Sequence, residues 1–362
     1  MKKTLSLLLC VLMALALITG CASAPAPAAA PAAAPAAPAA EPAPAPEPEA
    51  EKAEEKVFTP ITVSFLHGAG GSTWPMLAEG VGECIRKVAP GSSVTTVPGG
   101  AVSNAQLVAA NEYELGFTFY DTLLDAKNGR GAFDGKAADN LRVIACVFST
   151  YSQPYCYAEE PFNSLKEFFD TKPKIALSVH QAGSGVESFN NRLVQTYGYT
   201  YDDINAWGGK VVFANEGDTI EMLKDGQVEM FLGGSTPPTS NNIDVNTTRP
   251  IKYLKIEDDV IDKMVADYGY GKAVIAKDTY DWLTEDFSTF TAMIVVTCTT
   301  DMSDDDTYMI AKAINENTDY LCSVHNAAKL QMKDIDGGII CGINDADIAA
   351  GALKYYQEVG LK

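Results

Sequence analysis

Residues 61–75 read ITVSFLHGAGGSTWP, and residues 175–186 read IALSVHQAGSGV. Each is a short run suited to a strand that breaks into a histidine, then glycines with hydroxyl residues, then a helical pattern. A strand that ends in a glycine turn and restarts as a helix is the repeating step of a parallel α/β sheet. After the first turn, Leu77, Val81, Cys84, Ile85 and Val88 recur at helical spacing. A strand at 94–97 runs into Gly99 and Gly100 ahead of a helix at 104–110, and strands at 115–120 and 141–148 complete a first set. The stretch at 175–179 opens a second set: a helix at 186–197, a strand at 211–214, a helix at 220–224, and a strand at 228–232 entering Gly233, Gly234, Ser235 and Thr236. A strand at 251–256 and a helix at 258–268 follow, and a β run at 290–299 then leads into helices at 304–321 and 346–359. A chain that returns after a complete second unit predicts a discontinuous first lobe. Lobe 1 is expected over 57–148 and 268–362 and lobe 2 over 149–267, with two crossings acting as a hinge beside a cleft.

The ends of the chain carry a different kind of information. Lys2 and Lys3 precede a small and apolar run over 5–18, followed by Thr19, Gly20 and Cys21. That layout is a secretory signal over 1–20, and the run falls short of the about 20 apolar residues a membrane span needs. Residues 17–21 resemble the bacterial lipoprotein signal, which implies that Cys21 is lipidated and anchors the exported chain to the cell envelope, in a periplasm or on the outer face of the cytoplasmic membrane. Residues 22–56 are almost wholly alanine, proline and glutamate and hold nine of the 19 prolines. With nothing to bury they cannot offset the entropy of ordering, so 21–56 reads as a disordered tether. In polyproline geometry it would reach up to about 110 Å.

Residues 57–362 hold 41 acidic and 23 basic residues, a net charge of −18. Nucleic-acid binding needs clustered cations, and none are present. An anionic ligand would be repelled by this field at long range, so local donors must supply the attraction. Of eight cysteines, Cys10 leaves with the signal and Cys21 takes the lipid. The other six lack a paired zinc spacing, and Cys84, Cys146 and Cys298 sit in apolar patterns as small buried hydrophobes, although export permits disulfides.

Ligands of open α/β sheets sit beyond the carboxyl ends of the strands. Glycines there let backbone approach a ligand and leave N–H groups at helix starts, where the helix dipole favours an anion. Four such turns, two per lobe, suit a carboxylate without any arginine. Glycines that merely tighten strand-to-helix connections would look alike one at a time; four with matching chemistry favour a ligand. Catalytic readings fail on spacing. His67 to Gly71 resembles an esterase oxyanion turn, but no G-x-S-x-G elbow accompanies it, because Ala182, Gly183, Ser184, Gly185 and Val186 lack the first glycine. Thr73 takes the third glycine position of a dinucleotide fingerprint, and the phosphate-binding lysine motif is missing. The three histidines, His67, His180 and His325, include no helix-spaced metal pair. No cofactor, metal or catalytic residue is expected.

The run Gly70, Gly71, Ser72, Thr73, Trp74, Pro75 resembles the first signature of the TAXI family, the solute receptors of one class of tripartite (TRAP) transporters. Gly99, Gly100 and Asn104 are similar to its second turn, and Gly183, Ser184 and Gly185 to its third. Asp225, Gly226 and Gln227, with the strand into Gly233, Gly234, Thr236 and Pro237, are similar to its fourth. Gly351, Ala352, Tyr355, Tyr356, Glu358 and Gly360 are similar to its terminal helix. The resemblance implies a periplasmic-binding-protein fold of two α/β lobes, no catalysis, capture of a small organic anion such as a carboxylate or amino acid, and delivery to a TRAP membrane permease. A ligand-sensing receptor for a signalling partner and a serine hydrolase are the alternatives. The ligand is expected among His67, Gly71, Ser72, Thr73, Trp74, Gly100, Ala101, Asn104, His180, Gly183, Ser184, Gly185, Gly234 and Ser235. Ala101 and Val186 stand where a serine and a threonine are usual, and Trp74 where a tyrosine is common. Two hydroxyl donors are thereby lost. His67 and His180 precede turns from opposite lobes and are expected to replace some of those donors, with affinity rising as pH falls through their titration.

Overall fold

The computed structural model describes residues 57–68, 73–335 and 337–362. The signal, the tether, Cys21, Gly71 and Ser72 lie outside the described residues. In chain order the first elements are β1 (Thr62–His67), α1 (Thr73–Val88), β2 (Ser93–Pro98), α2 (Ala101–Ala109), β3 (Leu115–Phe119), α3 (Tyr120–Asn128) and β4 (Leu141–Tyr157). Next come α4 (Leu165–Thr171), β5 (Ala176–Ser178), α5 (Gly185–Thr196), α6 (Tyr201–Ala206), β6 (Lys210–Val212), α7 (Glu216–Lys224) and β7 (Met230–Ser235). The chain continues through α8 (Ser240–Thr248), β8 (Ile251–Tyr253), α9 (Asp258–Tyr268), β9 (Gly271–Ile275) and β10 (Phe287–Thr299). It closes with α10 (Asp304–Glu316), α11 (Thr318–Val324), α12 (Asn326–Met332) and α13 (Ala350–Glu358).

These strands form a mixed sheet in the order β2-β1-β3-β10-β4-β7-β5-β6, with β8 added to β4 and β9 to β10. β1 is parallel to β2 and β3, and β5 is parallel to β6 and β7, so each end of the sheet is a parallel α/β unit. The long antiparallel pair β4 and β10 joins the two units. The fold is α/β with two lobes, of the periplasmic-binding-protein type.

β4 runs well past the strand expected over 141–148. Its continuation holds Pro154, which has no N–H to give a ladder and reads in a sequence as a strand end. Here the proline falls between two neighbours: pairing with β10 stops at Tyr151 and pairing with β8 starts at Tyr155. Its carbonyl accepts from Leu254 N (2.9 Å). The helix expected over 304–321 is two helices, broken at Asn317, whose φ of −109° and ψ of 26° are not helical. The expected strand over 115–120 stops at Phe119, because Tyr120 already opens α3.

Apolar residues fill both faces. Phe65, Leu77, Val81, Ile85, Val108, Phe117, Ile294, Val296, Ile310 and Tyr356 are buried in the principal core, and Tyr155, Tyr157, Leu223, Phe231 and Val245 form a smaller one under α7 and α8. Cys84, Cys146 and Cys298 are buried as expected, and these three, with Cys156 and Cys322, are free thiols. Among the described residues, no helix is long and apolar enough to cross a membrane.

Candidate functional site

The strand registers fix where the tips of the two lobes lie. Phe119, the last residue of β3, pairs with Ile294 of β10, which pairs with Phe148 of β4. Ser235, the last residue of β7, pairs with Tyr151 of β4. Three residues of strand separate these levels, about 10 Å. β1 ends beside β2, His67 opposite Pro98, and β5 runs parallel to β7 with Ser178 opposite Phe231. The carboxyl ends of β1, β2, β5 and β7 therefore face one another across the middle of β4 and β10, where open sheets bind ligands.

On the lobe 1 side, Asn104 fastens the turns together. It is fully buried in α2; its Nδ2 donates to His67 O (3.1 Å) and Phe117 O (2.8 Å), and its Oδ1 accepts from Gly100 N (3.0 Å). One side chain thus ties the ends of β1, β2 and β3, and its polar atoms are spent on backbone. Gly99 is needed beneath it, since a Cβ there would lie 2.1 Å from Asn104 Oδ1. His67 is buried, with Nδ1 2.6 Å from Gly68 O. Thr73 and Trp74 begin α1, and the Trp74 ring lies edge-on to Phe117, Phe119 and Phe148 at 5.9, 5.5 and 5.9 Å. Ala101 contributes its carbonyl, which accepts from Thr118 Oγ1 (2.8 Å).

On the lobe 2 side, His180 holds a left-handed φ of 77° and Gly183 one of 75°. The conformation of His180 is rare for a residue with a Cβ, and such strain concentrates at functional turns. His180 Nδ1 lies 2.9 Å from Ser184 Oγ, and its ring stacks on Phe231 at 6.4 Å. Burial pulls its pKa down to about 4, so the imidazole is neutral at neutral pH. The expected gain in affinity on titration would therefore fall near pH 4 for this residue. Ser184 caps α5 by accepting from Glu187 N (3.1 Å), and the Glu187 carboxylate accepts from Gly183 N (3.3 Å). Gly100 N–H and Gly183 N–H are thus engaged within the chain. What remains for an anion is the set of first-turn amides that a helix start leaves unpaired at α2 and α5, less Glu187 N–H, which Ser184 already takes. Gly234 lies against Phe189 and Val186, where a Cβ would approach to 2.4 and 2.7 Å. Ser235 receives Gln153 Nε2 on its carbonyl (2.7 Å) and on Oγ (3.2 Å).

The two sides meet at a residue that sequence reading passed over. A Cβ on Gly185 would sit 2.0 Å from Phe119 Cε2, so the glycine at the start of α5 lies against the aromatic ring at the end of β3. Phe119 is 5% exposed and in turn touches Trp74. Sequence signals for it were weak, because a phenylalanine in LGFTF reads as strand core. Arg192, Asp121 and Tyr270 join the halves further out and were equally invisible, being 71 and 149 residues apart in their pairings. Open recesses elsewhere do not coincide with these tips: one lies between α9 and β9, lined by Asp258, Lys272 and Ser288, and another beside Lys252, Tyr253 and Trp282. Among the described residues no group of three His, Cys, Asp or Glu side chains is placed to hold a metal ion.

The sequence profile of the NMT1-like family matches residues 65–360. No curated protein matches the chain. Among solved structures, the chain is similar to a TctC solute-binding protein from Polaromonas at 15% identity, covering 83% of this chain and 97% of that one, with a TM-score of 0.49. It is similar to a putative periplasmic sulfonate-binding protein from Methylobacillus flagellatus at 18% identity, covering 77% and 71%, with a TM-score of 0.43. A putative phosphate transporter substrate-binding protein from Clostridium perfringens shows 12% identity over 73% and 98%, with a TM-score of 0.41.

Proposed function

The chain belongs to the NMT1-like family, and from that premise we propose that it is an exported solute-binding receptor that captures a small organic anion and hands it to a membrane transporter. The observation that carries this reading is the meeting of strand-end turns from both lobes over β4 and β10, with Phe119 of one lobe against Gly185 of the other. Helix starts at α2 and α5 supply amide donors and dipoles of the right sign for an anion, and Trp74 supplies an apolar wall. Closure of lobes 57–148 with 268–362 onto lobe 149–267 would desolvate these donors and strengthen them.

Within that reading we assign the chain, by its motif order, to the TAXI receptors of TRAP transporters, with a carboxylate or amino acid as ligand and Cys21 as lipid anchor. The test is thermal unfolding of the full exported chain against a panel of small carboxylates, amino acids, sulfonates and phosphate. A ligand at about 100 times its Kd stabilises the folded state by about 2.7 kcal/mol. A rise in midpoint with at least one carboxylate or amino acid supports the proposal. A rise with sulfonate or phosphate alone moves the ligand class, and none from the whole panel removes the receptor reading. Failure of the Cys21→Ala chain to lose its membrane association would remove the anchor.

A further inference from the structure

α3 starts on the residue after Phe119, and α5 starts on Gly185. The contact between lobes at the tips is therefore continued outward by the two helices that spring from it. Seven residues into α5, about 10 Å along its axis, Arg192 crosses to α3. Its Nη1 donates to Asp121 Oδ2 (2.6 Å) and to Tyr270 OH (2.8 Å), and its Nη2 donates to the Asp125 carboxylate. Tyr270 OH donates in turn to Asp121 Oδ2 (3.2 Å), and Arg130 Nη2 reaches Asp125 Oδ1 at 3.3 Å. The guanidinium also lies over the Tyr268 ring at 4.9 Å. The group is sheltered: the side chains of Arg192 and Asp121 are 13% and 4% exposed.

We infer that Arg192 is a positioning residue for ligand capture, clamping α5 of lobe 2 to Asp121 and Asp125 of α3 in lobe 1 so that the turns at Gly185 and Phe119 stay together. Charge chemistry suits a clamp that must also release. The closed arrangement gains charge-assisted hydrogen bonds. It also forfeits hydration, and Asp121 Oδ1 is buried with no partner, so the carboxylate regains water on opening. A hydrophobic contact at the same place would lack this counterweight. Burial pushes the Asp121 carboxyl up, and the Arg192 guanidinium opposes that shift and favours the paired, ionised form, helped by the place of Asp121 in the first turn of α3.

The inference rests on the capture function proposed above, and its first measurement is independent of any ligand. Hydrogen exchange is followed on the full chain for the wild type, Arg192→Met, Arg192→Lys and Asp121→Asn. Loss of the clamp is expected to speed exchange about tenfold or more in peptides covering 119–125 and 185–193, with peptides of α10 and α13 unchanged. Arg192→Lys, which keeps one charge opposite Asp121, is expected to lie between Arg192→Met and the wild type. Unchanged exchange at both turns, or acceleration spread equally through α10 and α13, would overturn the clamp. If Arg192→Met does not fold, Arg192→Lys and Asp121→Asn decide by the same criterion. Titration with the best carboxylate or amino acid of the panel supplies the second arm, and affinity should fall in parallel with the opening. Opened turns with wild-type affinity would overturn the positioning role. If nothing in the panel binds, the capture reading fails while the exchange data still judge the clamp.

Discussion

Replacing Gly185 with alanine adds one methyl group at the point where the lobes touch. That carbon would lie 2.0 Å from Phe119 Cε2 and 2.4 Å from Cδ2, against a normal separation of about 3.5–4.0 Å, so roughly 1.5 Å must be found. The ring cannot swing clear, because Phe119 is 5% exposed and Trp74 packs against it at 5.5 Å. Overpacking of this kind costs about 1–3 kcal/mol, and alanine returns up to about 1 kcal/mol as a better helix former than glycine. The residual conflict, about 1–2 kcal/mol, sits between lobes and is relieved when they part. Ligand affinity, which needs them together, should then fall about 5- to 30-fold. The unfolding midpoint should drop by no more than a few degrees, at about 2–4 °C per kcal/mol for a chain of this order. Calorimetric titration and calorimetric unfolding of Gly185→Ala read the two effects, and Phe119→Leu in the same chain should restore much of the affinity by making room. Wild-type affinity in the alanine variant, or no recovery in the double variant, would refute the claim that the tips meet in the bound state.

Two further outcomes follow from the same site. Asn104→Ala strands His67 O and Phe117 O in a buried place and Gly100 N in a half-buried one, which should cost about 2–3 kcal/mol or more in urea unfolding. His180 is held near a pKa of about 4 by burial, below the about 6.5 of an unfolded chain. Above pH 6.5 both states are neutral there; between 6.5 and 4 only the unfolded state takes the proton. Stability tied to this residue is thus complete above 6.5 and drains away as pH falls toward 4, by about 3 kcal/mol in all. Urea midpoints of the wild type and His180→Gln at pH 7 and pH 4.5 should differ in their acid loss, and equal losses would show that His180 is not the residue concerned.

Local chemistry explains what could be read from the chain in advance. A strand that gives way to glycine and then to helical spacing has few alternatives, and the turns at Gly99 and His180 follow β2 and β5 as that chemistry requires, whereas His67 is still the last residue of β1 and Gly233 and Gly234 belong to β7, which runs on to Ser235 and not only to 232. The terminal motif was legible for another reason: Gly351 packs α13 so closely on α10 that a Cβ would sit 1.8 Å from Asp304 O. The roles of side chains at the turns were less legible. Asn104 looks like a ligand donor in one dimension, yet its partners are backbone groups 37 and 13 residues away and in its own turn. α3 was missed because no glycine or capping side chain separates it from β3; its N-cap is Phe119. At the two positions without a hydroxyl, the Ala101 carbonyl accepts from Thr118 and the Val186 side chain packs over Gly234.

The long strands at the centre carry an unusual burden, and their composition follows from it. Ser149, Thr150, Ser152 and Gln153 are all buried in β4 at the level where β3 and β7 end. Polar residues there would be costly unless bonded. Ser149 Oγ donates to Gln331 Oε1 and Gln153 Nε2 donates to Ser235 O (2.7 Å), the backbone carbonyls of Ser149 and Ser152 accept from Thr236 Oγ1 (2.9 Å) and Thr289 Oγ1 (2.7 Å), and Ser152 Oγ alone of these is buried without a partner. The β10–β4 ladder also shifts register between Ile294 and Val295 and again between Val296 and Thr297. Bulges concentrate twist and bending at a chosen place in a sheet. Directional side-chain bonds beside them restrict which bend is allowed, where an apolar seam would permit many. A ligand can move such a pair of lobes only by its differential affinity for the two positions. On the proposed capture function, the contacts that would favour a closed position without ligand, Phe119 on Gly185 and Arg192 on Asp121, must be balanced within a few kcal/mol by hydration of an open one, or release would fail.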